Sequence, residues 1–244
     1  MRKKFELTDE TIVLNGRNLH RIKALRDIPG TPIKKGYLGG FVEKEENLSH
    51  EGRCWIYDNA WVCGNAHVYD NVHVSDNARV SGNVHVFGDA HVFGDAYVSD
   101  NACVSGNALI YGDARVYDNA RVSGDVHVSG DAHVSGDACI SGDACVSGNA
   151  YVSYKMHLLH NAYVKSLDDV CFISSFGSEN RSTTFFRCKD NTIKVKCGCF
   201  SGTLDEFRIK VKETHGDNKF AKEYLLIVDA VEVKFSHEKK DEVE

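Results

Sequence analysis

Between Trp55 and Ser153 the chain repeats one six-residue phrase without interruption, as in Trp-Val-Cys-Gly-Asn-Ala at 61–66 and His-Val-Phe-Gly-Asp-Ala at 85–90. Every sixth residue from Ile56 to Val152 is Val or Ile. With that residue called slot 1, slot 5 is small and apolar: Val68 goes with Val72, Val86 with Ala90 and Val98 with Ala102. Slots 3 and 4 hold only Gly-Asn, Gly-Asp or Asp-Asn between Asp58 and Asn149. Glycine tolerates positive φ, and Asn and Asp tolerate the left-handed region better than most residues. A turn every six residues leaves no room for a helix or a long flat strand. A fixed short period is the signature of a solenoid whose coils stack at the strand spacing of about 4.8 Å.

The phrase resembles the hexapeptide repeat of left-handed parallel β-helices, a likeness that covers at least residues 55–153. It implies a mainly β fold, a left-handed parallel β-helix in which three hexapeptides make one triangular coil of about 18 residues. A right-handed solenoid of similar period is the structural alternative, because the usual crossover rule favours that hand. Slot 1 then fills the interior, and slot 5 is small because three faces converge there. Asp in slot 3 is always followed by Asn, so no turn carries two carboxylates. Asn also permits amide ladders between coils.

Charge is unevenly spread. The whole chain has a formal net charge of −6, yet residues 54–153 hold 12 Asp against 3 Arg, with no Glu or Lys. Such a rod repels nucleic acid and attracts basic surfaces. The nine cysteines show no disulfide framework spacing, and Met1-Arg-Lys-Lys-Phe-Glu opens no secretory signal. No run approaches membrane-spanning length. A cytoplasmic protein with reduced thiols and no membrane association is expected.

Four segments are expected. Residues 1–47 form an N-terminal β-hairpin cap, with Asn15-Gly16 at the turn of a hairpin spanning Thr11 to Ile22. A solenoid needs such a cap to cover its exposed core end. Residues 48–169 form the solenoid. The turn is lost over Lys155–His160, and Asn161-Ala-Tyr-Val164 recovers the phrase. Residues 170–235 form a small α+β domain. Its strands are read at Cys171–Ser174, Thr183–Cys188 and Thr192–Cys197. One helix opens at the capping box Thr203-Leu-Asp-Glu206, and a second runs from Asn218 to about Val233. Residues 236–244 form a charged, mobile tail.

Leu38-Gly-Gly-Phe-Val-Glu43, Asn47-Leu-Ser49 and Trp55-Ile-Tyr-Asp-Asn-Ala60 resemble the opening of uncharacterised hexapeptide-repeat proteins of gut and enteric bacteria and their phages. Phe176-Gly-Ser178, Thr183–Arg187, Cys197–Phe200 and His215–Asn218 resemble the same group. The likeness implies a phage- or prophage-encoded protein that binds and inhibits or sequesters a host defence factor.

The triangular coil places residues 18 apart in one outward column. One column reads His67, His85, Cys103, Arg121, Cys139, His157, and its first three members are zinc-ligand types. Parallel stacking keeps such side chains from converging, so no metal is expected. Outward histidines are expected to reduce the rod's negative charge in mild acid. Trp61, Arg79, Tyr97 and Arg115 head another column, and aromatic and Arg residues are favoured in binding surfaces. Ser178, Arg181, Thr183, Thr184 and His215 form a candidate site for a small anionic ligand. Cys197-Gly-Cys199 places two thiols on one face of a strand.

The expected function is a non-catalytic binding scaffold that presents the C-terminal module to a protein partner. No catalytic residue and no cofactor is assigned, and a homo-oligomer is compatible with the reading. The alternative is an acyltransferase of the hexapeptide-repeat type with an acyl-CoA donor, which the resemblance implies. Those enzymes build their sites from loops extruded from the coils, and none interrupts positions 56–152.

Overall fold

The computed structural model describes residues 3–236. The tail expected at 236–244 therefore lies outside the described residues, apart from Ser236. Strands β1 (Phe5–Leu14) and β2 (Arg17–Ala24) form an antiparallel hairpin. Asn15 and Gly16 both have positive φ at its turn, which suits a two-residue hairpin loop. Strand β3 (Leu38–Val42) pairs antiparallel with β2 on one side and parallel with the solenoid on the other.

The solenoid is a ladder of two-residue strands, one every six residues, from β4 (Trp55–Ile56) to β22 (Tyr163–Val164). Each pairs in parallel with the strand 18 residues on: Trp55 opposes His73, and His73 opposes His91. The strands therefore sort into three parallel sheets, the faces of a prism of about seven turns. Slot-6 amides hold the coils together. His67 N–H donates to the Val84 carbonyl at 2.9 Å, and His85 N–H donates to the Ala102 carbonyl at 3.1 Å.

Slots 1 and 5 make one continuous core. Val86, Ala90, Val98 and Ala102 have no exposed surface. Burying one valine side chain contributes roughly 1.5–3 kcal/mol. Slot 3 takes positive φ along the whole rod, as at Asp70 and Gly82. At Gly82 a Cβ would meet the Asp100 backbone of the next coil at 2.7 Å, so nothing larger fits there. Slot-3 Asp fits elsewhere because it satisfies its neighbour: the Gly88 and Gly94 amides donate to the carboxylates of Asp70 and Asp76. Slot-4 amides form a ladder from Asn65 through Asn83, Asn101 and Asn119 to Asp137, at 3.0–3.2 Å per step.

The turn does not lapse after Val152. Tyr154 and His160 occupy slot 3 with φ of 58° and 50°, and His157–Leu158 forms a strand in register with Cys139–Ile140. The stacked coils below hold the left-handed turn even without Gly, Asn or Asp.

Beyond the last coil lies a four-stranded antiparallel sheet of β23 (Val170–Phe176), β24 (Arg181–Arg187), β25 (Ile193–Cys197) and β26 (Phe200–Thr203). The last strand was not legible, because its residues Phe-Ser-Gly-Thr carry little strand pattern. Helix α1 (Leu204–His215) starts at the Thr203–Glu206 capping box, and the Asn218 side chain caps α2 (Lys219–Ser236). Strand alternation puts Phe185 toward the helices, with Phe207, Tyr224 and Val228. It puts Phe186 toward the prism, in one cluster with Leu158, Ala162 and Val164. The sheet thus covers the open end of the rod. At the other end Phe5, Ile22, Ile28 and Ile33 cover Trp55 and Ile56.

Candidate functional site

The sheet register sets Trp61 beside Arg79, Arg79 beside Tyr97 and Tyr97 beside Arg115, and the column continues to His133 and Tyr151. Its members differ in availability. Trp61 is half-buried with Ile12, Leu14, Leu19 and Phe41 under the N-terminal hairpin. Arg79 and Arg115 are exposed, and among the described residues neither forms an ion pair. Tyr97 shares a hydrogen bond with Ser81 at 3.1 Å, and Tyr117 and Tyr151 share one at 2.9 Å. The result is a face of aromatic and guanidinium side chains.

The histidine columns stack and do not converge. The His67 and His85 rings lie 5.6 Å apart and 19° from parallel. Among the described residues no group of three or more His, Cys, Asp or Glu side chains is arranged to hold a metal. His73 and His157 both have pKa values held below the ordinary one. Burial is the main cause for each, reinforced by His91 beside His73 and by Lys196 beside His157.

In the C-terminal module the five residues read as one anion site separate. Ser178 and Arg181 are exposed at the β23–β24 hairpin, and His215 ends α1. These three gather around Tyr224 of α2. The His215 ring stacks on Tyr224 at 5.5 Å and 18°, and Ser178 and Arg181 stand near enough to hold the phenol pKa down against burial. Burial pushes the Tyr224 pKa up. Thr183 and Thr184 do not join them, because they sit inside the central strand β24 and are buried. The Thr184 hydroxyl accepts the His157 N–H at 3.0 Å, which ties the sheet to the last coils. Among the described residues the Thr183 hydroxyl has no hydrogen-bond partner. Glu179 also stands 3.7 Å from Arg181, which weakens the pull of that guanidinium on an anion. Cys197 and Cys199 do not share a strand face, since Gly198 turns the chain between them at φ 55°.

Two grooves went unread in the sequence. One, of about 610 Å³, lies where the C-terminal sheet overhangs a corner of the rod. Asp100, Asp118 and Asp137 line it against the single cation Lys155, with Tyr154 and Phe172. The Tyr154 and Phe172 rings stack at 6.1 Å. The corner residues follow from the 18-residue step, but the overhang depends on how the last sheet docks. The other groove, of about 670 Å³, is lined by Glu45, Glu46, His50, His67, Tyr69 and His85 beside the N-terminal cap. Among the described residues no helix is long and apolar enough to cross a membrane.

No curated protein matches the chain. A family model described as the YdcK beta solenoid repeat matches residues 114–130, so over just under one coil this chain is similar to that family of β-solenoid repeats.

Proposed function

We propose that this protein is a non-catalytic scaffold: a rigid acidic rod, closed at both ends, that holds its C-terminal module out to a protein partner. The observation that carries the reading is the gathering of Ser178, Arg181 and His215 around Tyr224, on a module stacked beyond the last coil. Ser178 and Arg181 are the exposed members, with Tyr224 buried behind them, and Arg is favoured in protein-binding hot spots. The unbroken six-residue step from β4 to β22 supports it, since no excursion walls a dry pocket in which a general base would work. The acidic corner beside Tyr154 and Phe172 favours a partner with basic segments. A cytoplasmic location, a left-handed coil and a phage or prophage role in sequestering a host defence factor belong to the same proposal. They rest on the resemblance of the opening and closing motifs.

Affinity capture from a bacterial host lysate tests this, with the full chain as bait against its Arg181→Ala/His215→Ala variant. A partner retained by the first and lost by the second is the expected outcome. Stoichiometric acetyl-CoA binding by the full chain, with no captured partner, would favour an acyltransferase instead.

A further inference from the structure

The least ordinary polar group in the molecule is at the N-terminal end. Lys4 has no exposed surface, and neither has Cys54. The Lys4 Nζ lies 2.9 Å from the Cys54 carbonyl oxygen, 3.1 Å from the Glu51 carbonyl oxygen and 3.1 Å from the Cys54 Sγ. Among the described residues it has no carboxylate partner, so a buried amine has a thiol where an anion is normally found. Burial holds the Lys4 amine below its ordinary pKa, and burial pushes the Cys54 thiol up while Lys4 pulls it back. Both shifts favour a neutral amine beside an undissociated thiol, and the 3.1 Å contact lets that amine take the thiol proton as sulfur reacts.

We propose that Lys4 and Cys54 form a peroxide-sensitive covalent modification site that closes as a sulfenamide bridge. In the first step the Sγ–H proton passes to Nζ as sulfur attacks one peroxide oxygen. The O–O bond breaks, the departing hydroxide takes the proton as water, and Cys54 becomes a sulfenic acid. In the second step the neutral Nζ attacks that sulfur. The S–N bond forms, the S–O bond breaks, and the hydroxyl leaves with an Nζ proton as a second water. Overall one thiol, one amine and one peroxide give one S–N bond and two waters, with sulfur oxidised by two electrons. Condensation of a sulfenic acid with a nitrogen is established cysteine chemistry. The 3.1 Å separation is already that of a near-attack pair. Glu51, whose carbonyl touches Nζ, belongs to an exposed bend at 51–53, so a small local opening admits peroxide. The bridge would join positions 50 residues apart, pinning the start of β1 to the first coil.

The experiment treats the full-length protein with hydrogen peroxide and maps its peptides by mass spectrometry without reduction. The expected product is a peptide pair joined through Lys4 and Cys54, about 2 Da lighter than the sum of its parts and released by a thiol reductant. Lys4→Arg should lose that pair. So should wild-type protein oxidised in denaturing urea, which needs no variant to fold. The proposal is overturned if Cys54 is recovered as free thiol or sulfonic acid while exposed Cys199 is oxidised. It is equally overturned if the pair forms as readily in urea.

Discussion

Phe185 and Phe186 are adjacent in the chain yet belong to different cores, one under the C-terminal helices and one on the end of the prism. Within the prism, by contrast, a residue's surroundings follow from its slot alone. Val80, Val98 and Val116 all meet their own equivalents 18 residues away. Solenoid stability is therefore a sum of nearly identical neighbour terms. The terminal sheet has no such repetition, and each of its contacts is particular to one place.

The sharpest way to break this comparison is to truncate the two phenylalanines separately. Phe185→Ala should cost about 3–5 kcal/mol, confined to the C-terminal core. In urea the helical circular dichroism should then be lost before the β signal. Phe186→Ala should shift both signals together. Coincident transitions for Phe185→Ala would mean that the two cores unfold as one. Next in size, Ile110→Ala in mid-rod should cost about 2–5 kcal/mol, read as a lower urea midpoint of the β signal with the helical signal moving last. Smaller still, Asn101→Ala removes two steps of the amide ladder and should cost about 0.5–1.5 kcal/mol. An equal loss from Asn149→Ala, which makes no ladder bond among the described residues, would mean that turn propensity matters and the ladder does not.

The smallest effect concerns pH. His73 and His157 titrate below their ordinary value in the folded chain, so the unfolded chain binds protons first as pH falls. Stability should be level above about pH 6.5, near the unfolded value, and decline as pH drops through the depressed folded values. Urea midpoints measured across that window check this, and His73→Gln/His157→Gln should flatten the profile. A steeper decline in the double variant would assign the slope to other groups.

Much of the rod was legible because side-chain direction there has period six and nothing else competes. The three outward columns, including Trp61, Arg79, Tyr97 and Arg115, fall in register as the spacing requires. Availability was not legible: Trp61 is covered by a hairpin whose packing no local pattern announces. Asp95, Asp113 and Asp131 also stack as like charges in consecutive coils, although each single turn avoids a pair. Exposure to water screens that repulsion. In the C-terminal module Thr183 and Thr184 read as a polar strand start, but the central strand of a two-sided sheet buries both.

From its sequence alone this protein is a six-residue solenoid with small core residues, left-handed turns and amide-bearing corners. Those features follow from the volume inside a narrow prism and the backbone freedom of Gly, Asp and Asn, both local properties. The docking of the terminal sheet, the Ser178–Arg181–His215 cluster around Tyr224 and the Lys4–Cys54 contact were decided only in three dimensions. Each depends on segments brought together once, where no repeat amplifies the signal.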